Sequence, residues 1–100
     1  MTILEKELED KLVKAIKARG GFALKWTSPG TTGLPDRIVL LPGARIAFVE
    51  MKRPKGSRVG KLQTKWGEWL SRLGFMHRKV FTEEQLQALL VELDRIGVWQ

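Results

Sequence analysis

Two apolar runs separated by three residues constrain this chain more than any other feature. Residues 35–41 (Pro-Asp-Arg-Ile-Val-Leu-Leu) and 45–52 (Arg-Ile-Ala-Phe-Val-Glu-Met-Lys) flank Pro42-Gly43-Ala44. Both runs read as β-strands, and the break between them is a short turn of the kind that joins antiparallel strands. Ile38, Leu40, Ile46 and Phe48 fall on one parity of the hairpin, and Val39, Leu41, Ala47 and Val49 on the other. Side chains alternate between the faces of a strand, so this hairpin is apolar on both sides. It calls for a sheet covered by helices on both faces.

The open end of the same hairpin is charged. If the turn is centred on Gly43, Asp36 falls opposite Glu50, and directly opposed residues share a face. Lys52, two residues beyond Glu50, shares it too. Two carboxylates and an amine then converge. Two acidic oxygen donors suit a hard divalent cation such as Mg²⁺ or Mn²⁺. A lysine beside them can orient or help deprotonate the water such a cation carries. The plain alternative is a solvated strand end, or a surface ion pair of small value. Against it, an acid ending an otherwise apolar strand costs free energy unless it has a partner.

The rest of the chain supplies the helices. Ile3, Leu4, Leu8, Leu12, Ala15 and Ile16 recur at spacings of three and four, predicting a helix over 3–19. Thr2 and Glu5 have capping-box spacing, and Gly20-Gly21 stops the helix. A short strand follows at 22–26, then a polar glycine-containing loop at 27–33. After the hairpin comes a basic loop, 53–58. Val59, Leu62, Trp66, Trp69, Leu70 and Leu73 make one stripe of a second helix at about 59–73. A fourth strand is expected at 75–81. A last helix opens at Thr82 with Gln85 in capping-box position and Leu86, Leu89, Leu90, Leu93 and Ile96 on one face. The order is α-β-β-β-α-β-α. On this reading Trp66 and Trp69 are packing residues rather than base-stacking platforms. His77, the one histidine, has no second histidine near it for a zinc site.

One hundred residues make one domain, 1–100, with a single modest core. With no cysteine there is no disulfide framework and no thiolate metal site. No apolar run approaches the roughly 20 residues needed to span a bilayer, and no secretory leader is visible. The expectation is a cytoplasmic protein. Eighteen Lys and Arg against eleven Asp and Glu give a net charge of +7. That excess favours a polyanion partner, because each neutralised phosphate releases condensed counterions. Nucleic acid is the first choice. An anionic membrane is a lesser one, since the basic residues are spread along the chain.

Taken in order, these residues resemble a known family. Gly33-Leu34-Pro35-Asp36-Arg37 followed by Phe48-Val49-Glu50-Met51-Lys52-Arg53 is similar to the VRR-NUC domain of the PD-(D/E)XK nuclease superfamily. The likeness takes in the leading helix ending in Gly-Gly, Lys25, and a glutamine early in the next helix. It implies an α/β (α+β) fold with a restriction-endonuclease-like αβββαβ core. The expected sheet is mixed, four-stranded and flanked by helices, with a C-terminal helix added. It implies that Asp36 and Glu50 ligate the metal, Mg²⁺ or Mn²⁺, with the backbone carbonyl of Met51 as a third ligand. Lys52 would position the attacking water, and Gln63 would support Lys52 or that water. The family's first-helix glutamate matches Glu9 best, with Glu5 as the alternative. Glu9 can equally be a solvated residue of a charged helix. Lys25 and Arg37 match basic positions of the family, and Arg53, Lys55, Arg58 and Lys61 form a basic stretch after the catalytic strand; all six are candidate DNA contacts.

The function expected from the resemblance is a metal-dependent endodeoxyribonuclease. Small stand-alone relatives resemble junction-resolving enzymes, which implies branched DNA such as a four-way (Holliday) junction and a homodimer with two sites for two strands. Two other readings stay open: a non-catalytic basic DNA-binding module, and a nuclease subunit that needs a partner such as a helicase.

Overall fold

The computed structural model describes residues 3–53 and 58–96, with Ile3, Arg58 and Val59 described by backbone only. The elements are α1 (Ile3–Ala18), β1 (Phe22–Lys25), β2 (Arg37–Leu41), β3 (Arg45–Glu50), α2 (Arg58–Arg72), β4 (Met76–Lys79) and α3 (Glu83–Ile96). The strands form one sheet in the order β1-β2-β3-β4. The β1–β2 and β2–β3 pairs are antiparallel, and β3–β4 is parallel because α2 returns the chain to the same end of the sheet. This is the mixed four-stranded sheet flanked by helices that the family resemblance implies.

The hairpin register pairs Arg37 with Val49 and Leu41 with Arg45. It is therefore centred on Gly43, where the backbone takes a positive φ of 80° and Ala44 follows at 60°. Ala23, Val39 and Ala47 are opposed across the sheet and face one way. With Leu41, Val49 and Met51 they meet Leu8, Leu12 and Ile16 of α1 and Leu86, Leu89, Leu90 and Leu93 of α3, and this is the core. Each of these leucines contributes roughly 1.5–3 kcal/mol on burial.

Both inner helix ends use the same stop. Gly20 and Gly74 adopt positive φ. Gly20 and Gly21 donate to Lys17 and Ile16, and Gly74 and Phe75 to Ser71 and Leu70, each at 3.0 Å. These paired bonds satisfy carbonyls that a helix end leaves open. At α3, Gln85 N–H donates to the Thr82 hydroxyl, and the Gln85 side chain accepts from Phe81 N–H. The predicted capping box is thus present with its return bond shifted one residue upstream. The Thr2 half of the α1 box, and Trp99, lie outside the described residues.

The opposite sheet face carries Phe22, Leu24, Ile38, Leu40, Ile46 and Phe48. Helix α2 covers its β3–β4 side through an aromatic cluster. Trp26 lies 5.0 Å from Phe48, Phe48 lies 5.4 Å from Phe75, and Trp66 lies 5.2 Å from Trp69, centroid to centroid. Trp66 also meets Trp26 edge-on. Toward β1 the cover ends, and Phe22 (62 %) and Leu24 (49 %) are exposed. No helix among the described residues is long and apolar enough to cross a membrane.

Candidate functional site

The site forms where β2 and β3 run out at the open end of the hairpin. Asp36 and Glu50 are the next residues beyond the Arg37–Val49 pair that ends the β2–β3 register, and the Asp36 charge acts on the Glu50 carboxyl. Asp36 is fixed from three sides. Its carbonyl accepts from Trp26 N–H at 3.2 Å, which ties it to the end of β1. One carboxylate oxygen, Oδ2, accepts Met51 N–H at 2.6 Å and Lys52 N–H at 2.9 Å. The preceding loop packs on α2: at Gly33, φ is +89° and an added Cβ would sit 2.6 Å from Leu62 Cβ and 3.0 Å from the Gln63 nitrogen. A residue with a side chain there would push Asp36 and Gln63 apart.

Glu50 is 2 % exposed, and its Oε1 has no hydrogen-bond partner. Burial, then the neighbouring Asp36 charge, push its carboxyl up to about 7, with Lys79 pulling the other way. A buried, unpartnered carboxylate beside a second acid is costly. A cation bound between them would remove both the repulsion and the missing partner. No group of three His, Cys, Asp or Glu residues of metal-binding geometry occurs among the described residues. A cation here would therefore complete its shell from backbone oxygens, water and substrate, as Mg²⁺ commonly does.

The other candidate residues divide between two depressions. One, of about 150 Å³, is lined by Asp36 and Lys52 together with Glu9, Lys25 and Trp26. The second, of about 470 Å³, runs between α2 and β4 and is lined by Glu50 and Gln63 together with His77 and Lys79. Lys52 thus shares a depression with Asp36, and Gln63 one with Glu50.

Arg37 and Glu9 behave differently from their neighbours. Arg37 is opposed to Val49 and so points to the α1 side of the sheet. Its Nε lies 3.5 Å from Glu9 Oε1, and its Nη1 donates to the Ala23 carbonyl at 3.1 Å. Glu9 is itself only 5 % exposed. The guanidinium expected to meet DNA is instead turned inward, and Glu9 is a buried ion-pair partner rather than a solvated helix residue. Arg53 stacks over the Phe81 ring at 5.1 Å. Lys25 and Lys61 are exposed. Lys55 and the Arg58 side chain lie outside what is described.

The sequence reading missed two residues. Lys79 is the direct partner of Glu50 across the parallel β3–β4 pair, and His77 is the partner of Phe48. His77 is half-buried against Gly67, where an added Cβ would come within 2.6 Å of the imidazole. Its Nε2 has no hydrogen-bond partner. Burial, with Lys79 and Arg78 beside it, holds its pKa below the usual histidine value. Period-two counting along β4 puts His77 and Lys79 on one face, but it gives no register against β3.

The sheet order, the paired acids at the hairpin mouth and the following lysine define the PD-(D/E)XK class of domain. A solved structure described as "VRR_NUC domain" superposes with a TM-score of 0.78 at 26 % identity, over 89 % of this chain and 96 % of that one. "Putative nuclease p44" of Acyrthosiphon pisum secondary endosymbiont phage 1 is 48 % identical over 52 residues. That match takes in 52 % of this chain, which spans a little over half (56 %) of the relative's length. No family model matches the sequence. By structural likeness and this relative, the chain is similar to the VRR-NUC domain family.

Proposed function

We propose that the chain is a metal-dependent endonuclease that hydrolyses DNA phosphodiester bonds. The observation that carries this reading is the buried Glu50 carboxylate, its Oε1 without a hydrogen-bond partner, set beside Asp36 in a strongly basic protein. Two acids repel a phosphate unless a cation intervenes, so a site built for DNA binding alone has no use for them.

Asp36 and Glu50 would hold the cation, Mg²⁺ or Mn²⁺. When bound, it lowers the pKa of water and offsets charge building on the phosphate. Asp36 has one carboxylate oxygen taken by two backbone amides, which fixes its orientation and leaves Oδ1 for the ligand role. Lys52, in the Asp36 depression, positions the attacking water and adds positive charge where negative charge develops. Gln63, lining the groove with Glu50, orients the same water from the other side.

The substrate we infer is branched DNA, such as a four-way junction, cut by a homodimer that presents one site to each of two strands. The test is cleavage of labelled four-way junction, linear duplex and single strands with Mg²⁺, Mn²⁺ or EDTA, using wild type and Lys52→Ala in parallel. Metal-dependent junction cutting that is lost in Lys52→Ala supports the reading. Equal cutting of duplex and junction removes the branched-DNA part. A monomer that cuts both strands removes the dimer. Binding without cutting under every condition returns the protein to a DNA-binding or partner-dependent role.

A further inference from the structure

We propose that the groove between α2 and β4 is a nucleic-acid phosphate subsite, in which Lys79 and Arg72 hold backbone phosphates next to the one cleaved. The proposal rests on the nuclease reading and extends it, because it names which surface guides the strand into the site.

The groove begins at the acids. Lys79 is paired with Glu50 in the sheet and therefore stands beside it on the same face. Gln63 and Arg72 both line the groove from α2. Nine residues apart on one helix, they are separated by about 13 Å along its axis. That is about the span of two phosphates of a strand, since neighbouring phosphates lie roughly 6–7 Å apart, about twice the 3.4 Å rise along a duplex axis. The groove is thus long enough to carry a strand past the site, with Lys79 at the acidic end and Arg72 at the other. Between them lies the half-buried His77, whose buried Nε2 has no hydrogen-bond partner, and Gly67 is the residue whose missing side chain lets the imidazole lie under the helix. Apart from Glu50, the lining holds one acid, Glu68, against the two cations Lys79 and Arg72. On the other side of the site, Arg37 is engaged with Glu9 and Arg53 with Phe81. Lys79 and Arg72 have neither of these engagements and remain exposed.

The experiment measures binding of a fluorescein-labelled 12-nucleotide single strand across a salt series in EDTA, so that no cleavage occurs. Wild type is compared with Lys79→Gln, Arg72→Gln and the remote control Lys14→Gln, each checked by thermal melting. Lys79→Gln and Arg72→Gln should each weaken binding several-fold and flatten the slope of log K against log salt by about 0.7. Lys14→Gln should leave both unchanged. Unchanged slopes in both groove variants, with wild type binding normally, overturn the subsite and leave the nuclease reading standing. Failure of wild type to bind the strand at any salt overturns the subsite, while cleavage in Mg²⁺ or Mn²⁺ decides the nuclease reading separately. If Lys79 serves only to offset the Glu50 charge, its variant will change the melting shift caused by Mg²⁺ but not the salt slope, which also overturns the proposal.

Discussion

Asp36 accepts the backbone N–H of Met51 at 2.6 Å on the same oxygen that takes Lys52 N–H. The acid that opens β2 is therefore also the cap of the strand that carries Glu50. Removing its side chain leaves the part-buried Met51 amide without an acceptor, at roughly 1–3 kcal/mol, and the exposed Lys52 amide to water. Asp36→Ala should lose about 2 kcal/mol of stability in urea unfolding together with all cleavage. Asp36→Asn keeps an oxygen that can accept the same amides. It should stay within about 1 kcal/mol of wild type and be equally inactive. Equal destabilisation of the two variants would show that the amide bonds contribute nothing.

Glu50 sets the pH dependence of the metal-free protein. Its carboxyl lies near 7 in the fold against an ordinary 4.5. The folded state then holds the proton more tightly than the unfolded one, and stability falls as pH rises between those values. Above about 7 the loss is complete, on the order of 1–3 kcal/mol. Melting in EDTA should therefore be higher at pH 5 than at pH 8, once the same curve for Glu50→Gln is subtracted. Adding Mg²⁺ at pH 8 should recover the difference in wild type, by binding the folded state alone, and do nothing for Glu50→Gln. A flat difference curve would contradict the buried Glu50 carboxylate, because His77, its pKa lowered by burial, moves the raw curve the opposite way.

Arg37 and Glu9 make a pair with side chains only 12 % and 7 % exposed. Removing one member of a buried pair strands the other charge, at about 3–5 kcal/mol. Arg37→Ala should approach that loss in unfolding experiments. Its salt slope for DNA binding should match wild type at temperatures where the variant is folded. A flattened slope with little change in stability would return Arg37 to the DNA contacts.

Gly33 is where the loop before Asp36 meets α2. Gly33→Ala demands an unfavourable backbone angle and a close clash with Leu62. The expected cost is about 2 kcal/mol or more. Cleavage should fall further than the unfolded fraction explains, because Asp36 and Gln63 are displaced relative to each other. Full activity per folded molecule would show that this contact does not align the site.

Much of this arrangement is legible in the sequence because it obeys local periods. A two-residue period and one turn are enough to oppose Asp36 and Glu50, since nothing but three residues separates the strands. The leucines of α1 and α3 announce their buried faces by helical spacing. The inward turn of Arg37 follows the same parity as Val39, but a family pattern of basic residues argued the other way. Its partner Glu9 lies 28 positions back on another element, and only packing brings them together. Lys79 was invisible for a different reason. Parallel pairing is set by how far α2 carries the chain and how its Trp66 ring seats on Trp26, and no short-range pattern encodes that distance. His77 likewise depends on Gly67, ten residues earlier, being without a side chain.

Trp26 belongs to two neighbourhoods at once. Its ring stacks in the cluster that seats α2, and it lines the depression that holds Asp36 and Lys52. Indole emission depends on how much water and charge surround the ring. The protein therefore carries its own optical reporter, bonded through its backbone to one of the paired acids. Arrival of a cation or a strand at the hairpin mouth can be followed in real time, without a label, by a residue whose main work is to hold a helix in place.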